Sequence, residues 1–253
     1  MRFDPEAWKL DRLTLGKLSC VLISPARSEP RLLVVLCHGF GASGTDLVGC
    51  YEDILFHMPE GTPPSAFLFP EAPVDLSDEG MYGSRAWWRI NMAQLMQLSA
   101  TNSFDEMKNV VPEGVDEARL TLCETVEACR LQNNWANVPV VLGGFSQGAM
   151  LAVDTITRGT IEHVVGLLVF SGALICESKW KEAAADKLQK MPLVQSHGRM
   201  DQVLPVSTGR WLNSLLRELG AEGGLIEFNG PHTIPSEAIE SATELLVKLS
   251  KEQ

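Results

Sequence analysis

The chain has 253 residues, of which 45% are hydrophobic and 21% charged, and it carries a net charge of −11. This size and balance predict one globular domain with a single large core. The acidic charge argues against a nucleic-acid-binding protein, which normally carries a basic face, and gives no attraction to an anionic membrane surface.

The sequence predicts no signal peptide and no transmembrane segment. Charged residues and Pro5 interrupt residues 1–17, where no apolar core of a signal peptide occurs. No run of about 18 apolar residues is present anywhere. The cysteines follow no C-x-x-C or framework spacing, so we expect buried free thiols in a reducing cytoplasm. They are Cys20, Cys37, Cys50, Cys123, Cys129 and Cys176.

Short apolar runs alternate with amphipathic stretches along the chain. Continuous apolar character predicts strands buried on both faces, and a shorter mixed run predicts one more strand. Apolar residues at helical spacing predict the helices between them. The strands are expected at 31–37, 66–69, 138–144, 165–172, 191–197 and 224–228, and the helices around 47–58, 115–129, 212–219 and 239–249. This alternation predicts an α/β fold, a three-layer sandwich with a mostly parallel sheet.

One region breaks this rhythm. From Pro70 to about Pro112 no clear strand is visible, and several prolines lie just before this region and at its start. Connections of this length in a compact domain are usually functional or mobile. We therefore expect one domain over residues 1–253 with a lid-like or specificity-determining insertion around 74–112.

The stretch V-P-V-V-L-G-G-F-S-Q-G-A-M-L at 138–151 contains the pattern G-x-S-x-G between a predicted strand and an apolar helix. In this context the serine occupies a sharp, strained turn that needs flanking glycines, and Ser146 becomes a candidate nucleophile. The helix N-terminus that follows would favour developing negative charge. The alternative is a tight turn in which Ser146 only caps the helix.

A serine nucleophile needs a base and an orienting carboxylate, here in the order serine, acid, histidine. Asp201 and His232 each follow a predicted strand, in H-G-R-M-D-Q-V-L-P and E-F-N-G-P-H-T-I-P. Taken singly, Asp201 could be a helix cap or an Asx turn and His232 an ordinary loop residue. Their joint position predicts the triad Ser146–Asp201–His232.

Two other histidines follow Ser146. His163 lies in a turn without a catalytic setting, and we expect a surface or structural role for it. His197 ends the strand before Asp201, which is too early for a base that should follow the acid.

The oxyanion formed during acyl transfer needs two donors. One is expected from the backbone N–H of Gln147, directly after the serine, and the other from Phe40 in the glycine-rich loop H-G-F-G after the first predicted buried strand. His38 is expected to brace this loop.

In this order, the motifs H-G-F-G-A-S-G-T-D-L, F-P-E-A-P, G-G-F-S-Q-G-A-M-L-A, S-H-G-R-M-D-Q-V-L-P and G-P-H-T-I-P-S-E-A-I resemble the phospholipase/carboxylesterase family, which includes acyl-protein thioesterases. The resemblance runs from about residue 30 to the end. It implies an α/β-hydrolase fold with Ser146, Asp201 and His232 as the triad and Phe40 and Gln147 as the oxyanion donors. Residues 80–104 depart from the animal thioesterase pattern, and residues 1–30 match no pattern of the family.

The insertion is the expected source of substrate specificity. Trp87, Trp88 and Met81 could form an adaptable aromatic and methionine wall for an acyl chain, or could simply be packed in the core. Arg85 and Arg89 could receive an anionic group of a substrate, although pairing with surface carboxylates is the expected arrangement.

The sequence therefore predicts a serine hydrolase of carboxylic esters or thioesters that needs no metal or organic cofactor. Its substrate would be a small or lipid-like acyl ester or thioester, or an S-acylated protein. A peptidase or lactonase on the same fold is one alternative, since fold does not fix substrate. A hydrolase-fold protein that binds a ligand without catalysis is the other.

Overall fold

The computed structural model describes residues 7–184 and 186–252. Strands and helices alternate through most of this range. The strands are β1 (Trp8–Leu15), β2 (Leu18–Pro25), β3 (Leu32–Cys37), β4 (Ser65–Pro70), β5 (Val74–Asp75), β6 (Arg85–Ala86), β7 (Val140–Phe145), β8 (Val164–Phe170), β9 (Leu193–Gly198) and β10 (Leu225–Phe228). The helices are α1 (Cys50–His57), α2 (Met92–Thr101), α3 (Val115–Gln132), α4 (Gln147–Arg158), α5 (Glu177–Ala184), α6 (Val206–Glu218) and α7 (Ser236–Glu252).

Eight strands form one sheet in the order β1-β2-β4-β3-β7-β8-β9-β10. The β1–β2 and β2–β4 pairs are antiparallel, whereas all pairs from β4 to β10 are parallel. The chain passes from β3 outwards to β4 and later returns to the other side of β3 with β7. The carboxyl ends of β3 and β7 therefore flank the topological switch point, where ligands bind in open α/β sheets.

The continuous apolar strands fill two cores, one on each face of the sheet. All six residues of β3 are buried, with Leu33 and Val35 in one core and Leu32 and Val34 in the other. This alternation follows from the two-residue period of a strand. Apolar residues of α3, α4, α5 and α6 complete the first core, and those of α1 and α7 complete the second. The predicted three-layer sandwich is confirmed.

The six predicted strands correspond to β3, β4, β7, β8, β9 and β10, and the four predicted helices to α1, α3, α6 and α7. The first of these helices begins at Cys50, three residues after the predicted start at 47. Residues 8–25, for which no element was predicted, form the antiparallel β1–β2 hairpin at the sheet edge. β1 is largely exposed, so it lacks the apolar run that marks the buried strands.

The insertion around 74–112 contains more regular structure than expected. β5 and β6 pair as a two-residue ribbon, and α2 is followed by a 3-10 helix, Phe104–Asn109. Leu98 and Phe104 anchor these helices in the first core. Within the described ranges, none of the helices combines the length and apolar character needed to cross a bilayer.

The six cysteines are free thiols, as expected, and all except the half-buried Cys50 are buried. Burial raises the pKa of Cys129 to about 12 and that of Cys50 to about 11. The thiols of Cys129 and Cys50 therefore stay protonated at neutral pH.

Candidate active site

Ser146 lies in the turn between β7 and α4. Its backbone has φ 55° and ψ −116°, a conformation that costs a non-glycine residue about 1–3 kcal/mol. A hydrogen bond from the Ser146 N–H to the Phe170 carbonyl, 2.8 Å long, holds this turn against β8. Ser146 occupies the N-cap position of α4, yet its hydroxyl makes no capping bond. The geometry thus favours a strained serine whose hydroxyl lines the cavity over the simple capping role.

The glycines of the G-x-S-x-G pattern allow two backbones to touch. A Cβ atom on Gly148 would lie 2.0 Å from the Cys37 carbonyl oxygen, and one on Gly144 would lie 2.5 Å from the same atom. Side chains are therefore excluded at both positions. This contact between the end of β3 and the β7–α4 turn places the 38–41 loop beside Ser146.

Asp201 and His232 lie in the loops after β9 and β10 and form a short hydrogen bond. The His232 Nδ1 donates to Asp201 Oδ2 over 2.6 Å. The other carboxylate oxygen, Oδ1, accepts from the backbone N–H groups of Val203 and Leu204, each at 2.9 Å. Asp201 therefore forms an Asx turn with the oxygen that does not face the imidazole.

Three further contacts hold the His232 ring and its loop. The Phe145 ring lies against the imidazole with the ring centroids 4.7 Å apart. The Ser171 hydroxyl donates to the Thr233 carbonyl, and the Met200 N–H donates to the Gly230 carbonyl. His232 keeps 16% of its side chain exposed, so the ring is supported from behind and open towards the cavity.

Ser146 and His232 line the same cavity. Among the described residues, the Ser146 hydroxyl makes no hydrogen bond to the imidazole. In ligand-free enzymes such bonds are often long and tighten when substrate is bound. The structure thus places the nucleophile and base candidates at one site, where His232 is already bonded to Asp201.

The hydrogen bonds to Asp201 lower the pKa of its carboxyl group. Burial alone would raise the pKa of this carboxyl group. The donors His197, His232 and the Leu204 N–H outweigh burial and hold the pKa of Asp201 well below its usual range. Asp201 is therefore an anion at neutral pH and can stabilise a positively charged His232.

Phe40 and Gln147, the predicted oxyanion donors, line the same cavity as Ser146. In the part of the chain that the structure describes, neither backbone N–H has a hydrogen-bond acceptor. His38 stabilises this loop, as expected: its Nδ1 donates to the Gly39 carbonyl and its Nε2 accepts from the Ala72 N–H. Burial lowers the pKa of His38, which keeps the ring neutral.

The side chain of Gln147 has a role that the sequence did not indicate. Its Oε1 accepts from the Trp87 N–H and its Nε2 donates to the Trp88 carbonyl. The residue after the nucleophile thereby fixes the insertion to the start of α4. Partners 60 residues apart leave no local signal from which this contact could be read.

The two tryptophans have different surroundings. Trp87 is buried, packs on the His38 ring and donates its indole N–H to the His38 carbonyl, and it does not line the cavity. Trp88 does line it. Met81 packs against Gly41 instead and is not part of the cavity wall. Of the three residues predicted to contact substrate, the structure brings only Trp88 to the cavity.

The cavity has a volume of about 900 Å³ and a largely apolar wall, most of which comes from the insertion and was not predicted residue by residue. Ile175 and Met150 extend this wall from the core side. The insertion contributes Trp88, Ile90, Met92, Leu95, Leu98, Met107, Val110 and Val111.

Arg85 and Arg89 pair with carboxylates that lie in the insertion or just before it. Arg89 contacts Asp78 at 2.7 Å and also Glu79, and Arg85 lies within 4 Å of Glu71 and Asp75. This is the surface pairing that the sequence analysis favoured over an anion site.

Comparison with known proteins agrees with this geometry. The phospholipase/carboxylesterase family model matches residues 18–250. Acyl-protein thioesterase 1 homolog 1 of Dictyostelium discoideum is 28% identical over 221 residues, which are 85% of this chain and 89% of that protein. Among solved structures, esterase PE8 superposes with a TM-score of 0.72 at 24% identity, covering 95% of this chain and 99% of that one. Zea mays acyl-protein thioesterase 2 superposes with a TM-score of 0.66 at 20% identity, covering 91% and 98%.

The structural matches establish the α/β-hydrolase fold, and the family match extends over nearly the whole chain. The chain therefore belongs to the phospholipase/carboxylesterase family, whose members are hydrolases of ester and thioester bonds.

Proposed function

We propose that the protein cleaves carboxylic esters or thioesters through an acyl-enzyme on Ser146, with His232 as the general base and Asp201 as its orienting acid. The observation that carries the proposal is the convergence, at one cavity, of a strained Ser146 and a His232 ring whose Nδ1 is bound to Asp201 over 2.6 Å. This arrangement supplies a nucleophile, a base and a fixed tautomer.

In the proposed reaction, His232 Nε2 takes the proton of the Ser146 hydroxyl while the oxygen bonds to the acyl carbon. The N–H groups of Phe40 and Gln147 stabilise the negative oxygen of the tetrahedral intermediate. His232 then gives the proton to the leaving alcohol or thiol as its bond to the acyl carbon breaks. Water, deprotonated by His232, attacks the acyl-enzyme, and the carboxylic acid leaves as Ser146 regains its proton. No metal or organic cofactor takes part in these steps.

The cavity indicates the substrate class. Its volume of about 900 Å³ lies near the top of the range of about 300–1,000 Å³ for small-molecule sites. The methionines and aliphatic residues of the insertion form an adaptable apolar wall beside Ser146, which suits a medium or long acyl chain. The thioesterase names of its relatives support a thioester, such as an S-acylated protein, as the substrate.

A series of p-nitrophenyl esters from about two to sixteen carbons, run beside an acyl thioester and a lysophospholipid, tests the proposal. We expect hydrolysis that favours the longer chains, and Ser146→Ala should reduce it at least about 10³-fold. Ser28→Ala, which changes an exposed serine in the loop after β2, is the matched control and should retain full activity.

Undiminished hydrolysis by Ser146→Ala would overturn the acyl-enzyme. Cleavage of peptides or lactones in preference to all these acyl substrates would favour the alternative hydrolases. A protein that binds the acyl compounds but turns none of them over would be a ligand-binding member of the fold.

A further inference from the structure

His197, the penultimate residue of β9, contacts Asp201 from the core side. Its side chain is fully buried. Its Nε2 lies 3.3 Å from Asp201 Oδ2, the same oxygen that accepts from His232, and 2.7 Å from the Leu204 carbonyl oxygen. Asp201 thus stands between two imidazole rings, one facing the cavity and one facing the core.

These contacts indicate which ring nitrogen of His197 carries the hydrogen. Both neighbours of Nε2 are hydrogen-bond acceptors, so Nε2 carries the hydrogen. Nδ1 is buried and has no partner among the described residues. The backbone of α6 covers it, since a Cβ atom on Gly209 would lie 2.4 Å from Nδ1. The tautomer with its hydrogen on Nε2 therefore matches the two acceptors beside that nitrogen.

Few charged groups face this ring. Asp201 lies beside Nε2, and His232 lies beyond the carboxylate. From β10, Glu227 is the strand neighbour of His197, and its carboxylate is bound by Arg199 and by Arg210 of α6. The Asp201 carboxylate is thus the charged group that lies next to His197 Nε2.

We infer that His197 is a positioning residue of the proposed hydrolase: its Nε2–H holds the Asp201 carboxylate in line with His232 and moderates the negative charge that His232 experiences. This inference rests on the proposed function. The two backbone donors hold Oδ1, and His197 Nε2 lies 3.3 Å from Oδ2. Without the His197 donor the carboxylate can rotate, which lowers kcat. Its charge is also less compensated, so it stabilises protonated His232 more strongly.

The test compares three substitutions at one position. In His197→Gln the amide nitrogen can reach the place of Nε2, in His197→Asn it cannot, and His197→Leu has no donor. The readout is kcat, KM and the pH at which activity is half-maximal, measured on a p-nitrophenyl ester. We expect His197→Leu and His197→Asn to lose about 10–100-fold in kcat, as is typical when an orienting partner is removed, with little change in KM.

The same two variants should need a higher pH for half-maximal activity, whereas His197→Gln should recover most of kcat and the wild-type midpoint. Val194→Ala, a core truncation on the same strand, is the control for lost stability and should leave the pH profile unchanged.

If His197→Leu fails to fold, the inference is tested by comparing kcat and the pH midpoint of the glutamine variant with those of the asparagine variant. If Ser146→Ala inactivates the enzyme but the glutamine and asparagine variants have equal kcat and equal pH midpoints, the role of His197 is overturned and the proposed function is not. Activity that survives Ser146→Ala would instead overturn the proposed function.

Discussion

The two sides of the cavity are built differently. On the sheet side, Ser146 and Asp201 lie at strand ends, and backbone contacts and buried hydrogen bonds fix them. On the insertion side, the wall consists of α2, a 3-10 helix and the chain segments next to them, which place apolar side chains around the opening. Met92 and Val111, part of this wall, remain exposed to solvent.

This contrast separates two properties of the site. In the proposed reaction, proton transfer depends on distances that tolerate little error, and strand ends that cannot shift independently would supply them. Recognition of an acyl chain depends on volume and apolar area, which an adaptable wall can supply. Changes on the sheet side should therefore alter the rate of reaction, whereas changes in the insertion should alter which acyl chain reacts.

The largest effect is expected for Asp201→Asn. The asparagine keeps the shape of the side chain but favours the wrong tautomer of His232 and no longer stabilises its charge. We expect kcat to fall by about 10³–10⁴-fold on short and long esters alike, measured from initial rates. A loss of kcat confined to long esters would contradict the view that residues on the sheet side carry out the reaction.

Gly148→Ala tests the backbone contact that aligns the nucleophile. The added Cβ would lie 2.0 Å from the Cys37 carbonyl oxygen, so β3 or α4 must shift. We expect the free energy of unfolding to fall by about 3 kcal/mol, measured by urea denaturation, together with loss of activity. In Gly224→Ala, the matched control, the added atom meets no neighbour, and both quantities should stay close to wild type.

Val111→Trp tests the insertion side. Val111 is half-exposed and lines the cavity, so a larger ring can fill cavity space without disturbing the core. We expect kcat/KM to fall about tenfold for long acyl esters, because the pocket loses contact with the chain end, and to stay nearly constant for acetyl esters. Leu131→Trp, on an exposed position of α3, should change neither. Equal losses on short and long esters would contradict the separation of roles.

The smallest effect is expected for Arg89→Ala. Arg89 pairs with Asp78 and Glu79 at the exposed edge of the insertion. Such surface pairs contribute little because solvent screens them. Thermal unfolding and kcat/KM for neutral esters should both stay near wild type. A marked loss of activity on neutral esters would show that the insertion takes part in the chemistry.

The buried strands were predictable from sequence because continuous apolar runs in β3 and β7 leave few alternatives to a sheet covered on both faces. The positions of Ser146, Asp201 and His232 followed from strand ends for the same reason. The β1–β2 hairpin was missed because β1 is largely exposed, although Gly16 in the tight turn between Leu15 and Leu18 offered a signal.

Contacts between distant residues could not be predicted. The bonds from the Gln147 side chain to the 87–88 backbone and the contact between His197 and Asp201 exist only once the sheet has formed. The sequence left open whether the adjacent tryptophans form a cavity wall or pack in the core, and the structure places them directly after β6. One of them thus reaches the core and the other the cavity, which single-residue patterns do not distinguish.

Active-site labelling tests the central claim most directly. The intact protein is treated with a fluorophosphonate, which reacts with activated serines, and the modified peptide is mapped by mass spectrometry. We predict a single adduct on Ser146 that blocks hydrolysis and that forms far more slowly in His232→Ala. Full hydrolytic activity with Ser146 unmodified, or an adduct on another serine that abolishes activity, would contradict the account.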